Sequence, residues 1–180
     1  HTVEDFYRAV ELSKDYDFDV NFDLIAMLPE ETFEDFKFSV DSAVKLSPEN
    51  ITVHTLSLKR GSELTLSGHD NTDNLLANQM VSYADAELKK HGYLPYYMYR
   101  QKHVSGNLEN TGYAKEGKIC IYNVDIMEES TSILAAGAGS ISKRVFPNEG
   151  RIERQADFKA VKEYVERFEE VKTRTEKFWK

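Results

Sequence analysis

The chain has 180 residues, of which 41% are hydrophobic and 30% are charged, as is typical of a folded domain rather than a disordered polymer. Its formal net charge of -8 at pH 7 argues against a nucleic-acid backbone or an anionic membrane surface as its main partner. No run approaches the roughly 18 apolar residues of a membrane span, and the beginning HTVEDFYRAV lacks a secretion-signal pattern, so the sequence favours a cytoplasmic protein.

A helix and then a strand are predicted at the start of the chain. Thr2 and Asp5 have the spacing of a capping box, which predicts a helix through about Tyr16. The following DVNFDLIAML has the apolar alternation of a half-buried strand, and the turn LPEET ends it. Asp23 is thus a carboxylate near the carboxyl end of a strand, where parallel α/β proteins bind ligands. It either accepts hydrogen bonds from ribose hydroxyls or caps a neighbouring backbone, and spacing alone leaves both open.

The same alternation of helix and strand continues to Gly92. A second helix runs from its cap at Thr32 to about Leu46, the strand NITVHTLSL follows, and a third helix runs from Thr72 to His91. Helices of this length between strands indicate βαβ crossovers, and hence a parallel sheet or part of a barrel. His54 has apolar neighbours and no second histidine at ligand spacing, so we interpret it as a histidine of the core or of a sheet face.

After Gly92 the patterns indicate a different arrangement. LPYYMYRQK and KICIYNVDIM have the apolar content of strands, and SILAAGAGSISKRV predicts a further strand and turn. Cys120 is interpreted as a small buried strand residue. Strands without a long helix between them predict an antiparallel or mixed extension of the sheet. An amphipathic helix is predicted from about Arg154 to Lys180.

One stretch, residues 96–113, is unusually rich in tyrosine, asparagine and glycine. Its sequence YYMYRQKHVSGNLENTGY suits either a binding loop or a well-packed irregular corner, because glycine and asparagine are also what tight turns require. Tyr96, Tyr97 and Tyr99 fit ordinary packing on a half-buried sheet, and they also fit contact with a flat aromatic ligand.

Five sequence motifs follow one another along the chain, namely NFDLIAMLPEET, ENITVHTLSLKRGSEL, YYMYRQKHVSGNLENTGYA, YNVDIMEE and GAGSISK. In this order and spacing they resemble the later part of the radical S-adenosylmethionine proteins related to oxygen-independent coproporphyrinogen III oxidase. GNLENTGYA and MEE are most similar to the Firmicute-type coproporphyrinogen dehydrogenase branch. The resemblance covers most of residues 1–146 and implies an α/β fold. We expect the C-terminal part of a partial TIM-like radical barrel over residues 1–92, a substrate-covering mixed-sheet extension over 93–153 and a C-terminal helix over 154–180.

The resemblance also implies a chemistry. In the family a 4Fe-4S cluster held by CxxxCxxC cleaves S-adenosylmethionine, and the radical formed drives the oxidative decarboxylation of coproporphyrinogen III to protoporphyrinogen IX in haem biosynthesis. This sequence has one cysteine and no CxxxCxxC, so it lacks the thiolates for such a cluster. We expect the cluster-binding half of the barrel upstream of His1, and we expect this fragment alone to bind no metal or cofactor and to be inactive. The alternative is a non-catalytic haem-binding or haem-trafficking relative.

Individual residues are assigned by the same resemblance. Asp23 matches the aspartate of the family's DLI-x-GLP motif that contacts S-adenosylmethionine, and Ser57 is expected near the same cofactor. Met27 stands where the family commonly has glycine. The stretch 96–113 is interpreted as part of a cover over the radical site, with arginine and amide donors for tetrapyrrole carboxylates and rings for stacking. The substrate-binding candidates are Tyr99, Arg100, Asn107, Asn110, Tyr113, Tyr122 and Asn123.

Half a barrel has strand edges that the whole barrel would pair. Because unpaired edges are templates for pairing with another chain, we expect the fragment to associate with itself. The resemblance identifies no electron donor.

Overall fold

The computed structural model describes residues 2–58, 63–66, 73–99 and 108–180. The chain forms two compact units, one that extends to Ile121 and one that extends from Tyr122 to Lys180. No helix within the described ranges combines the length and the apolar content that a membrane crossing requires. The domain boundaries expected near residues 92 and 153 stay predictions.

The first unit is built around a four-stranded mixed sheet with the strand order β1-β2-β4-β3. β1 and β2 are parallel, whereas β4 is antiparallel to both β2 and β3. The expected parallel pair with an antiparallel extension is therefore confirmed, although β4 lies in a stretch that we interpreted as a loop or corner. The elements are α1 (Val3–Ser13), β1 (Asn21–Ala26), α2 (Phe33–Leu46), β2 (Asn50–Thr55), the short α3 (Glu63–Leu66), α4 (Asn74–Lys90), β3 (Leu94–Tyr99) and β4 (Asn110–Ala114).

Hydrogen-bonded caps fix the beginnings of the first two helices. In α1 the Asp5 backbone N–H donates to Thr2 Oγ1 at 3.2 Å, and the Thr2 N–H donates to the Asp5 carboxylate at 3.0 Å. Thr32 and Asp35 form the same reciprocal box at α2. Both predicted caps are confirmed. α1 ends at Ser13 rather than near Tyr16, and α4 begins after an Asp73 cap, whereas the predicted start at Thr72 lies outside the described residues.

The hydrophobic core lies between one face of the sheet and the helices α2 and α4. Because successive strand residues alternate between faces, β1 and β2 contribute every second side chain to this core. Burial of these apolar groups is the main stabilising contribution to the unit. The core residues include Phe22, Ala26, Ile51 and Val53 from the strands, Phe36, Val40 and Ala43 from α2, and Ala77, Met80, Ala84 and Leu88 from α4.

The second unit contains a β-hairpin and three helices. Its helices are α5 (Ile121–Glu128), α6 (Val161–Glu166) and α7 (Phe168–Trp179), and its strands β5 (Ile141–Phe146) and β6 (Arg151–Ala156) pair antiparallel. A short turn over Pro147–Glu149 joins the strands, and Gly150 follows it with a φ of 59°, a left-handed conformation that glycine adopts without strain.

Three predictions for the chain after Lys118 are wrong. The residues of KICIYNVDIM from Ile121 onward form α5 instead of a strand, and Cys120 is a half-buried residue just before the helix rather than a strand residue. A short apolar run has no clear period, so the sequence cannot distinguish the two structures. Arg154 lies within β6, and the C-terminal helices begin only at Val161 because the turn at Gly150 returns the chain alongside β5.

Candidate functional site

The sheet face opposite the core in the first unit carries polar side chains. Phe22, Leu24 and Ala26 lie on the core face of β1. The alternate residues Asn21, Asp23 and Ile25 therefore point to the other face. The parallel register places Asp23 beside Thr52 and Ile25 beside His54. Two neighbouring strands thus bring a carboxylate, a hydroxyl and an imidazole together.

Asp23 is positioned by two side chains and remains open to solvent. Asn21 donates from Nδ2 to Asp23 Oδ1 at 2.8 Å, and His54 Nε2 lies 3.5 Å from the same oxygen. Thr52 holds Asn21 in turn, by donating to its Oδ1 at 3.2 Å. The Asp23 side chain is still 62% exposed, so its carboxylate can accept further hydrogen bonds from a ligand.

Two tyrosines of β3 reach across β4 to these groups. The register aligns Thr52, Gly112 and Tyr97 in one row, and the Tyr97 hydroxyl lies 3.4 Å from Thr52 Oγ1. The missing side chain of Gly112 makes room for this ring, since a Cβ there would overlap the Tyr97 Cε1 atom. The Tyr99 hydroxyl lies 3.2 Å from His54 Nδ1, and the two tyrosine rings stack at 3° with 6.2 Å between centroids.

His54 therefore connects Asp23 to Tyr99. A neutral imidazole donates from one nitrogen and accepts at the other, so a proton on Nε2 suits both the Asp23 carboxylate and the Tyr99 hydroxyl. The hydrogen bond from His54 is the largest cause that holds the pKa of Asp23 below its usual value, against the opposing effect of partial burial. Burial raises the pKa of Tyr97. At neutral pH this face thus presents an ionised acceptor beside a protonated phenol.

The turn after β1 has a left-handed residue where the resembled family has glycine. Met27 has a φ of 70°, a conformation that costs an L-residue about 1 kcal/mol and glycine nothing. Its side chain is buried in the core of the first unit. Methionine therefore keeps the turn and compensates the backbone strain with apolar burial.

The structure places the remaining candidates of the first unit in different surroundings. Ser57 lies just beyond β2 and is half-buried. Asn110 is fully buried in β4, where its Oδ1 accepts from the Thr55 N–H at 2.8 Å. Asn110 Nδ2 and Thr55 Oγ1 are buried without a hydrogen-bond partner in the described part of the chain. Asn110 thus fixes the end of β2 from the neighbouring strand.

Five candidates lie on the opposite face of the sheet, in the second unit or outside the described ranges. Tyr113 points to the opposite face, where its hydroxyl donates to Asp85 Oδ1 at 3.0 Å, and burial together with that carboxylate raises its pKa. Tyr122 and Asn123 belong to α5 of the second unit. Arg100 and Asn107 lie outside the described residues. Roles in substrate binding stay predictions for all of the candidates.

The sequence did not reveal which side chains connect Asp23 to its neighbours on the polar face. Asn21 and Thr52 were not singled out, and His54 was interpreted only as a residue of the core or of a sheet face. The connection could have been recognised from the alternation of side chains along a strand. Residues two apart share a face, so Asn21 lies on the same face as Asp23, and Thr52 lies on the same face as His54.

Of the two cofactors that the resemblance implies, the described residues fit S-adenosylmethionine and do not fit a 4Fe-4S cluster. No group of three or more histidine, cysteine, aspartate or glutamate side chains in the described ranges could hold a metal ion. The single cysteine of the sequence supplies at most one of the thiolates that a 4Fe-4S cluster needs. Asp23 is the third of the six residues of β1, so the expected position near the carboxyl end of the strand is wrong. Its exposed, ionised carboxylate can nevertheless accept hydrogen bonds from the ribose hydroxyls of S-adenosylmethionine.

Known proteins similar to this chain agree with the resemblance seen in the sequence. No protein-family model matches the chain. It is 44% identical over 172 residues to the oxygen-independent coproporphyrinogen-III oxidase-like protein HemZ of Bacillus subtilis, a match that covers 94% of this chain and 34% of that protein. The chain therefore spans about a third of the length of this curated relative.

A solved structure supports the fold. The coproporphyrinogen III oxidase HemN from Escherichia coli, described as a radical SAM enzyme, matches with a TM-score of 0.63 at 17% sequence identity. The match covers 94% of this chain and 39% of that one. The predicted α/β fold class with a mixed sheet is confirmed by this likeness.

Proposed function

We propose that the chain is one part of a longer radical S-adenosylmethionine oxidoreductase, related to the oxygen-independent coproporphyrinogen-III oxidase-like protein to which it is similar. The parent enzyme oxidatively decarboxylates coproporphyrinogen III to protoporphyrinogen IX in haem biosynthesis. The identity of 44% across 94% of the chain supports this proposal. Because the chain spans 34% of that relative, the reaction is assigned to the parent and not to this segment alone.

The observation that carries the proposal is the open carboxylate of Asp23 on the polar face of the parallel pair β1 and β2. Asn21 and His54 hold it from one side at 2.8 Å and 3.5 Å, which leaves the other lone pairs of the carboxylate for a ligand. We assign the ribose hydroxyls of S-adenosylmethionine to those positions, since hydroxyl donors and an ionised acceptor form strong hydrogen bonds.

When bound to the parent, S-adenosylmethionine supplies the radical chemistry, and this segment has no CxxxCxxC motif to hold the cluster. The segment instead binds and orients. Asp23 holds the ribose, and the stacked Tyr97 and Tyr99 form an aromatic wall beside it. Such a wall excludes water from a reactive site and suits packing against a tetrapyrrole ring. Tyr99 presents a hydroxyl to this face as well, and its bond with His54 fixes where that hydroxyl lies.

The test uses the protein encoded by the complete reading frame, assayed without oxygen with coproporphyrinogen III, S-adenosylmethionine and a reductant. We expect carbon dioxide and a vinyl-bearing porphyrinogen. Asp23→Asn should raise the KM for S-adenosylmethionine about tenfold or more, because a hydrogen bond to a charged group contributes roughly 1.5–3 kcal/mol. Asp19→Asn is the matched control, since Asp19 precedes β1 and pairs with Lys118 at 2.8 Å.

Two results would contradict the proposal. Stoichiometric haem binding with no turnover would favour the non-catalytic haem-trafficking role over the oxidase. Equal KM values for Asp23→Asn and Asp19→Asn, in an enzyme that does turn over, would leave the reaction in place and remove the cofactor role of Asp23.

A further inference from the structure

The second unit buries a lysine that no carboxylate of the described residues neutralises. Lys143 in β5 is only 7% exposed, and its Nζ donates to the backbone carbonyl of Asp125 at 3.3 Å. An ammonium has three donors, of which this bond uses one. Burial of a charge without a counter-ion is costly, and proteins retain such groups mostly where a partner neutralises them.

Arg154, the residue opposite Lys143, makes the burial of this positive charge still less favourable. Antiparallel pairing places Arg154 of β6 directly opposite Lys143, with both side chains on the same face of the hairpin. Like charges at opposed positions are destabilising. Arg154 is neutralised by an ion pair with Glu129, whereas no such pair with Lys143 occurs in the described ranges. One positive charge therefore remains on this face.

The backbone holds Lys143 in place on both sides. Besides its pairing with β6, it exchanges two hydrogen bonds with Ile133, at 2.7 Å and 2.8 Å. β5 is thus flanked by backbone on both edges at this residue. The position of the Lys143 backbone is therefore fixed by the fold, and its side chain starts from the middle of the paired strands.

Lys143 lines a cleft of about 390 Å³ in the second unit. A volume of this size lies within the range of small-molecule sites. The walls combine apolar side chains with few charged ones, namely two cations and one carboxylate. The lining includes Tyr122, Ile126, Glu129, Ile133, Ile141, Lys143 and Arg154.

We propose that this cleft binds the carboxylate of a small amphipathic molecule, with Lys143 as its counter-ion and the three isoleucines against its apolar body. A single uncompensated positive charge matches a single carboxylate. The inference depends on Lys143 and the cleft alone, and it holds whether or not the parent decarboxylates coproporphyrinogen III.

The experiment measures binding by titration calorimetry to the protein encoded by the complete reading frame, called the native chain below. The probes are octanoate, its uncharged amide, and coproporphyrin III, which presents propionate groups on a large aromatic ring. We expect octanoate or coproporphyrin III to bind, and Lys143→Met to weaken that binding about ten- to a hundredfold, as loss of a hydrogen bond to a charged group does. The amide should bind no better to the native chain than octanoate binds to the variant.

Lys162→Met is the matched control, because Lys162 lies in the same unit with its side chain 85% exposed. It should bind the probes as the native chain does. Without ligand, Lys143→Met should have a melting temperature equal to or above that of the native chain, because an apolar side chain replaces an uncompensated buried charge. Lys143→Gln, which retains a donor but not the charge, provides a second variant.

The two carboxylate probes separate the possible sources of the ligand. Binding of both through Lys143 indicates a general carboxylate site, and binding of coproporphyrin III alone narrows the ligand to a tetrapyrrole. The proposal is overturned if neither probe binds in a manner that depends on Lys143. It is also overturned if both Lys143 variants fail to fold, since the ammonium would then be a structural group.

Discussion

The two faces of the sheet in the first unit differ in what they contribute. On one face Phe22, Ile51 and Val53 pack against α2 and α4 and are almost completely buried. On the other face His54 lies between Asp23 and Tyr99, and the Asp23 side chain remains 62% exposed. The apolar face stabilises the fold, and the polar face holds side chains at fixed positions while leaving a carboxylate open.

This difference shows how one strand serves two purposes. Alternation along β1 sends Phe22 into the core and Asp23 to the open face, so the burial of one residue fixes the position of the next. A site built on paired strands is more rigid than a site on loops, and rigid placement is what binding and catalysis require. If the two faces are independent, substitutions on the apolar face should change stability, and substitutions on the polar face should mainly change the properties of Asp23 and its neighbours.

The largest effect is expected on the apolar face. Phe36 of α2 is 1% exposed, so Phe36→Ala should lower the free energy of unfolding by about 3–5 kcal/mol through lost burial and a cavity. Phe38→Ala is the matched control in the same helix, because Phe38 is 70% exposed, and it should change stability by about 0.5 kcal/mol or less. Urea unfolding measures both. Similar losses for the two variants would contradict this assignment of the core.

A smaller loss is expected from Gly112→Ala on the polar face. The added Cβ would overlap the Tyr97 ring, so the ring must move away from Thr52, at a cost of about 1–3 kcal/mol. Urea unfolding of this variant measures the cost. Because the overlap involves only that ring, the effect should not spread to the core.

A double-mutant cycle separates this overlap from backbone effects. In a Tyr97→Ala background the ring is absent, so Gly112→Ala should cost much less than it does in the native chain. If the cost is the same in both backgrounds, the glycine is required for its backbone and not for the passage of the tyrosine across β4.

The sequence predicted the local features of the first unit well. The cap pairs at Thr2 and Thr32 and the strands β1 and β2 depend on residues close together in the chain, and the structure contains them. β4 was missed because NTGYA is composed largely of turn and small residues. It becomes a strand through distant contacts, namely the Tyr97 ring on Gly112 and the Asn110 bond to Thr55.

The candidate site also depends on contacts between residues that are distant in the sequence, and such contacts could not be predicted. Asp23 and Tyr99 were both proposed from the sequence, for separate partners, and the structure joins them through His54. That connection depends on the strand order β1-β2-β4-β3, in which β4 comes between the tyrosines and the histidine. A single sequence does not contain this order, because pairing between β2 and β4 is decided by packing and not by local pattern.

The smallest effect on stability, and the sharpest test of the polar face, concerns the pKa of Asp23. His54→Leu removes the hydrogen bond that is the largest cause of the lowered pKa, so the pKa of Asp23 should rise. Asn21→Ala removes a weaker cause and should raise it less. Carboxyl-carbon NMR titration measures both. An unchanged Asp23 pKa in His54→Leu would show that the two side chains are neighbours without a hydrogen bond.

The sign of the linked stability follows from the direction of this shift. Because folding lowers the pKa of Asp23, the ionised carboxylate favours the folded state above the usual aspartate value of 3.8, and this contribution is lost as the pH falls through the folded pKa. Solvent screens a side chain that is 62% exposed, so the contribution should stay below about 1 kcal/mol. His54→Leu should therefore change the free energy of unfolding in the acid range by less than about 1 kcal/mol. This is far smaller than the loss expected from Phe36→Ala. A large change would mean that the polar face also stabilises the fold, and that the two faces are not separate.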